Sequence, residues 1–290
     1  MKVLITGARG LVGSALVTHC TREDEQVVAL DRAALDITDK SSVQAVFDRE
    51  RPDIVINCAA WTDVDGCEVD AERAFATNAR GPENLAHASR ELSSRLVTIS
   101  TDYVFSGEQE GFYTQRDQPN PQSVYGVSKL EGEHRAQSAY ARTIVVRTGF
   151  IFGPGGKNFL STIFERARRG EKLKAIGDAF GTPTYSRDLA VRLRELAQLD
   201  LPGTFHVVNA GEGVSYEQFV HAALDLGGYS SVNVESVAMA SLNRPAPRPR
   251  NSRLRCLLSE AIGLSPLPFW NDSLKDFVAM DSPSEVAARN

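Results

Sequence analysis

Tyr125 and Lys129 stand four positions apart in the run VYGVSKLEG, residues 124–132. On a helix, residues at i and i+4 share one face, roughly 5–6 Å apart at Cβ, so phenol and ammonium can reach one point. An ammonium there favours the phenolate and lowers the phenol's pKa toward the range useful for proton transfer. Such a pair needs company before it does chemistry, and the company stands upstream. STDYVF (100–105) follows the apolar run RLVTI. That places Thr101 at the carboxyl end of a strand, the end at which open α/β sheets bind ligands. A threonine hydroxyl there can hydrogen-bond a carbonyl oxygen in the manner of an oxyanion hole.

A second group of residues could hold the other reactant. TGARGLVG (6–13) sets Gly7, Gly10 and Gly13 between an apolar run and a helical pattern. Glycines at these points allow a tight turn and close approach of backbone to a pyrophosphate lying on the positive end of a helix. Leu11 and Val12 open that helix. Asp31 ends the second apolar run, 24 residues after Gly7, where a carboxylate can accept hydrogen bonds from the adenosine ribose of NAD. Arg9 and Arg32 flank it and could instead neutralise the 2′-phosphate of NADP, so the residues leave the choice between the two open.

The elements that must position these groups are legible as well. KVLIT (2–6), QVVAL (26–30), DIVIN (53–57), RLVTIS (95–100) and TIVVR (143–147) are short, rich in β-branched residues and apolar on both faces. That is the pattern of buried strands in a parallel sheet covered by helices on both sides. Helical patterns at 70–93 and 122–138 alternate with them. The expected fold is therefore α/β, a doubly wound parallel sheet of Rossmann type. After Arg147 the texture changes to Gly-rich loops at 149–159 and 177–188, short strands at 172–176 and 204–208, and a helix at 215–227. This predicts a smaller C-terminal substrate-binding lobe threaded through the sheet. Residues 1–149 and 186–208 would form the dinucleotide-binding domain, and 150–185 and 209–290 the lobe.

At 290 residues, 42% hydrophobic and 24% charged, the chain reads as a globular protein that needs no cross-links. It opens on a strand rather than a leader, and no apolar stretch reaches the roughly 18–20 residues of a membrane span, which argues for a cytoplasmic protein. Cys20, Cys58, Cys67 and Cys256 show no metal spacing, so free thiols and no metal are expected. A net charge of −5 argues against nucleic acid as a partner.

TGARGLVG, NCAAWTDVD (57–65), STDYVFSG (100–107), NPQSVYGVSKLEGE (120–133), DAFGTPT (178–184) and RPRNSRL (248–254) together resemble the dTDP-4-dehydrorhamnose reductase family, within the extended short-chain dehydrogenase/reductase superfamily. The resemblance runs over about the first 255 residues in the family order. It implies that the C4 ketone of a nucleotide-diphosphate 4-keto-6-deoxysugar is reduced with NADPH, NADH remaining a possible donor, and that the product is dTDP-rhamnose. It also implies Thr101, Tyr125 and Lys129 as the catalytic set. Lys129 would in addition hold the nicotinamide ribose. Gly7, Arg9, Gly10, Leu11, Val12, Asp31, Arg32, Asp36, Ile37, Ala59, Ala60 and Thr62 would line the cofactor, while Asp102, Tyr103, Phe150 and Asn158 would meet the sugar.

The chain departs from the family in two places. Phe150 stands where many members carry a tryptophan in the sugar pocket. Ala15 and Arg187 stand where some members carry glutamates that bridge a dimer through magnesium, which implies a monomer or a metal-independent homodimer. The stretch NRPAPRPRNSRLR (243–255) is the one locally basic segment, and its prolines favour an extended presentation of arginine. Guanidinium forks match phosphate oxygens in pairs, so Arg250 or Arg253 is expected to clamp the diphosphate. Relatives of this fold also include a regulatory subunit of methionine adenosyltransferase type, and dehydratases and epimerases of nucleotide sugars. The dehydratases carry Asp-Glu after the threonine, where this chain has Asp102-Tyr103.

Overall fold

The computed structural model describes residues 1–155 and 158–281. Positions 156 and 157 of the expected loop at 149–159, and residues 282–290 of the expected lobe, lie outside the described residues. The order begins β1 (Lys2–Thr6), α1 (Leu11–Arg22), β2 (Gln26–Leu30), α2 (Lys40–Glu50), β3 (Ile54–Asn57). Short helices α3 (Val64–Val69) and α4 (Ala71–Phe75) lead through a π-helical turn, Ala76–Arg80, into α5 (Gly81–Leu92). Then come β4 (Arg95–Thr101), α6 (Val124–Ala139) and β5 (Ile144–Thr148). The remainder is β6 (Ile151–Phe152), α7 (Phe159–Arg168), β7 (Leu173–Ile176), β8 (Phe180–Gly181), β9 (Thr184–Tyr185), α8 (Ser186–Leu199), β10 (Gly203–His206), β11 (Val214–Ser215), α9 (Tyr216–Leu226), β12 (Val234–Val237), α10 (Leu257–Ala261) and α11 (Trp270–Asp281).

Six parallel strands form the main sheet in the order β10-β5-β4-β3-β1-β2. From β1 the chain first builds β2 on one side and then returns to build β3 on the other. The crevice above β1 and β3 is therefore the topological switch point, where such sheets bind ligands. One face of the sheet packs on α1 and α8 through Leu16, Leu189, Leu193 and Leu196; the other packs on α2, α5 and α6 through Phe47, Leu85 and Ala136. Outside the sheet, Phe152, Phe164, Phe219 and Phe277 join β6, α7, α9 and α11 in a separate apolar cluster.

The expected strands are present, with one difference in environment. β2 is only partly covered, because it is the edge of the sheet and has a strand neighbour on one side only. α8 begins at Ser186, inside the loop expected at 177–188, and its apolar face completes the cover over the sheet. The helix expected over 70–93 is interrupted by the π turn, which turns Asn78 inward. Among the described residues no helix is long and apolar enough to cross a membrane.

Candidate active site

α6 carries the pair that opened the argument, and it is not a surface helix. Ser123 caps it by accepting a hydrogen bond from Gly126 N, and Glu68 Oε1 accepts from Val124 N at 2.8 Å, so two of the free N–H groups of its first turn are satisfied. Tyr125, Ser128, Lys129 and Glu133 are all buried on it. Gly132 is the point of closest approach: a Cβ there would stand 2.0 Å from the Asn78 carbonyl oxygen.

The glycine loop meets the segment after β3 at the switch point. Gly7 adopts φ +63°, and a Cβ there would lie 2.7 Å from Ala59 N. A Cβ on Gly13 would lie 2.2 Å from Gly7 O. Larger residues would fill this cradle, which leaves backbone alone to face a diphosphate at the start of α1. Below it, Asn57 ties three strands together: its Oδ1 accepts from Thr6 Oγ1 at 2.6 Å and its Nδ2 donates to Thr98 Oγ1 at 3.0 Å.

Two cavities flank the cradle and share Gly10, Cys58, Ala59 and Ala60. The first, about 440 Å³, takes in Gly7, Arg9, Asp31, Arg32, Asp36 and Ile37, together with Trp61, Arg73 and Thr77. The second, about 520 Å³, takes in Leu11, Val12, Thr62, Thr101, Asp102, Tyr103, Tyr125, Lys129, Phe150 and Asn158. A dinucleotide spanning both would set its adenosine end in the first and its nicotinamide end in the second, beside Tyr125. In the second, Thr148 Oγ1 is buried with no hydrogen-bond partner among the described residues, a polar atom left for a ligand. The residues present thus fit a nicotinamide dinucleotide.

Arg9 Nε pairs with Asp31 at 2.8 Å, although the Arg9 side chain is 88% exposed. A guanidinium thus stands beside that carboxylate, within reach of a 2′-phosphate bound there. Arg9→Ala and Arg32→Ala are each expected to weaken NADPH more than NADH, since NADPH alone carries that phosphate. Titrating both cofactors checks this; equal losses would remove the two arginines from phosphate recognition.

Within the second cavity, Thr101 Oγ1 donates to Asp102 Oδ1 at 3.0 Å and lines the same wall as Tyr125 and Lys129. Burial, rather than the Lys129 ammonium, is the largest influence on the Tyr125 pKa. Lys129 Nζ donates to the Ile99 carbonyl at 2.7 Å, and burial dominates at Tyr125, pushing its pKa well up. The phenol is thereby kept protonated at neutral pH, the state a proton donor requires. Burial also brings Lys129 down to about 8, with Glu133 opposing. Turnover is accordingly expected to fall as pH rises through about 8, where Lys129 loses its charge. Lys129→Arg should shift that limb beyond the measurable range, and a limb left in place would assign it to another group.

Arg250 and Arg253 are the two predicted site residues that line neither cavity. Arg250 is exposed and pairs with Asp178 at 3.3 Å; Arg253 bonds Asn251 Oδ1 at 2.8 Å and lies over Phe112 and Phe180. Arg248, their neighbour, is the inward one, holding Asp65 through two bonds of 2.8 and 2.7 Å. Sequence reasoning also missed Asn78, whose side chain grips the backbone of Trp61 at 2.8 and 3.1 Å and reaches Ser128 of α6 at 3.1 Å. Tyr216 was missed as well; it packs on Phe150 at 4.3 Å between ring centroids.

Comparison with known proteins agrees with this geometry. A dTDP-4-dehydrorhamnose reductase of Mycobacterium tuberculosis is 36% identical, the match covering 98% of this chain and 94% of that protein. A probable dTDP-4,6-dihydroxy-2-methyloxan-3-one 4-ketoreductase of Streptomyces antibioticus is also 36% identical, over 98% of each chain. The crystal structure of the Bacillus anthracis dTDP-4-dehydrorhamnose reductase in complex with NADP superposes with a TM-score of 0.93 at 34% identity, covering 97% of this chain and 99% of that one. Residues 1–282 match the family described as RmlD substrate binding domain, and with these relatives the match makes the chain a member of the dTDP-4-dehydrorhamnose reductase family.

Proposed function

We propose that this chain is an NADPH-dependent oxidoreductase that reduces the C4 ketone of a nucleotide-linked 4-keto-6-deoxysugar, dTDP-4-dehydrorhamnose being the leading substrate. The observation that carries the reading is the convergence of Thr101, Tyr125 and Lys129 in one cavity that is also lined by Gly10 and Gly13 of the glycine loop. NADPH, when bound, supplies the hydride that attacks the carbonyl carbon. Tyr125 gives its proton to the oxygen as negative charge develops there, and the Thr101 hydroxyl stabilises that oxygen. Lys129, charged below about 8, stabilises the phenolate left behind. Asp102, Tyr103, Phe150 and Asn158 shape the sugar side of the cavity. In this reading residues 1–149 and 186–208 hold the cofactor, and 150–185 with 209–290 hold the sugar nucleotide.

The test is a substrate screen with purified protein, NADPH or NADH, and a panel of nucleotide 4-keto sugars, each product identified by NMR. NADPH oxidation with the dTDP-4-keto-6-deoxyhexose is expected; oxidation with none of the panel would sink the reading. We also propose that the reaction takes place in the cytoplasm. We also take the enzyme to be a monomer or a metal-independent homodimer. Ala15 and Arg187 line a cleft with His19 and Arg22, a set lacking the carboxylate oxygens magnesium prefers. Light scattering is expected to give the same mass with magnesium and with EDTA; a change on chelation would contradict this.

A further inference from the structure

Asp63, Asp65, Glu68, Asp70 and Glu72 crowd the chain just ahead of Arg73, yet none of these carboxylates takes its charge. Asp63 caps α3 by accepting from Gly66 N at 3.0 Å, Asp65 holds Arg248, and Glu68 accepts from Val124 N at the start of α6. Asp70 caps α4 by accepting from the backbone N–H of Arg73 at 3.0 Å, which fixes the main chain of Arg73 and leaves its side chain to other work. Among the described residues the Arg73 guanidinium has no carboxylate partner; it lies over the Trp61 ring, 4.3 Å from the centroid. A guanidinium on an indole face is held by cation–π attraction and stacking, while the donors in its own plane stay free for an anion.

The platform under it is fixed. The Asn78 side chain bonds Trp61 N at 2.8 Å and Trp61 O at 3.1 Å, which ties the backbone of Trp61 to the π turn. Trp61 directly follows Ala59 and Ala60, and those two with Gly10 and Cys58 are what the two cavities share. A dinucleotide spanning both cavities passes that junction with its diphosphate. Trp61 and Arg73 both line the first cavity at that point in the chain.

We infer that Arg73 is a cofactor-binding residue: held on Trp61, it adds a guanidinium to the diphosphate of the dinucleotide, alongside the backbone N–H groups of the glycine loop. The inference rests on the nicotinamide cofactor of the reductase reading and adds to it a residue outside the glycine loop and the Asp31 segment. Guanidinium forks match phosphate oxygens in pairs, and a side chain already ordered on an aromatic ring loses less freedom when the ligand arrives. Arg9 in the same cavity is paired with Asp31 at 2.8 Å, whereas Arg73 has no carboxylate to leave. The diphosphate is common to NADPH and NADH, so Arg73 serves both alike, in contrast to the discrimination expected of Arg9 and Arg32.

The test measures binding rather than turnover. The chain has two tryptophans, so Trp270→Phe leaves Trp61 as the one indole and its emission reports on the stack. In that background Arg73→Ala is expected to change the emission of the free protein, because the cation over the ring is gone. Titration with NADPH and with NADH should show both weakened about 10-fold, the scale of one hydrogen bond to a charged group. Calorimetry on Arg73→Ala in the otherwise unmodified chain reads the same two affinities without the reporter. Emission unchanged by Arg73→Ala overturns the stack, and affinities unchanged for both cofactors overturn the role. A loss confined to NADPH assigns Arg73 to the 2′-phosphate and overturns the diphosphate contact. An unmodified chain that binds neither cofactor is a separate result, which removes the reductase reading and this role with it.

Discussion

Tyr125→Phe is expected to lower kcat by about 10²–10⁴-fold, the usual worth of a positioned general acid. The substitution removes one oxygen from a buried ring that stands edge-on to Tyr103 at 5.9 Å, so packing is preserved. Cofactor affinity should therefore barely change. Because burial keeps the phenol protonated, the loss should be as large at pH 7 as at pH 8, and steady-state kinetics at both values checks it. Near-normal turnover, with the cofactor shown to be bound, would remove Tyr125 as the proton donor.

The second large effect is on stability and lies one layer beneath the site. Glu133, one turn after Lys129 on α6, pairs with Arg147 of β5 through Nη2 at 2.7 Å and Nε at 3.0 Å, and accepts a hydrogen bond from Ser100 of β4. The two side chains are 3% and 8% exposed, and the guanidinium lies over the Phe105 ring at 5.2 Å. Removing one member of such a pair leaves the other charged and buried, which costs about 3–5 kcal/mol, whereas replacing both by apolar residues of similar volume is often close to neutral. Arg147→Met is thus expected to destabilise the fold by about 3–5 kcal/mol, and Glu133→Leu with Arg147→Met by clearly less. Urea unfolding of the single and double variants measures both. A loss under about 1 kcal/mol for Arg147→Met would mean that water or another cation reaches Glu133.

How much of this the residues alone could show depends on whether a feature is local. The parallel strands were legible because burial on both faces writes a continuous apolar run, and β1, β3 and β5 are buried along nearly their whole length. The glycine cradle was legible because only glycine can pack Gly7 against Ala59 and Gly13 against Gly7. Thr101, Tyr125 and Lys129 were legible because strand end and helix spacing each declare a direction.

Other features depend on partners distant in sequence. The bond Lys129 makes to the Ile99 carbonyl and the burial that lowers its pKa are not contained in its i+4 spacing to Tyr125. Asn78 reads as an ordinary helical residue until the π turn aims it at Trp61. In RPRNSRL the count of arginines was visible, but the faces they take follow from backbone bonds to Phe180, Gly107 and Tyr113. With those bonds in place, Arg250 and Arg253 line neither cavity.

The central claim is that the cavity holding Tyr125 transfers hydride from NADPH to carbon 4 of a nucleotide-linked sugar. Its most direct measurement is a reaction of the purified protein with dTDP-4-dehydrorhamnose and NADPH carrying deuterium on nicotinamide carbon 4, followed by NMR of the product. The account predicts one deuterium at sugar C4 for each NADPH oxidised when the labelled face is the reacting one, and none when the opposite face is labelled. Deuterium at another sugar carbon, or sugar turnover without NADPH oxidation, would contradict it.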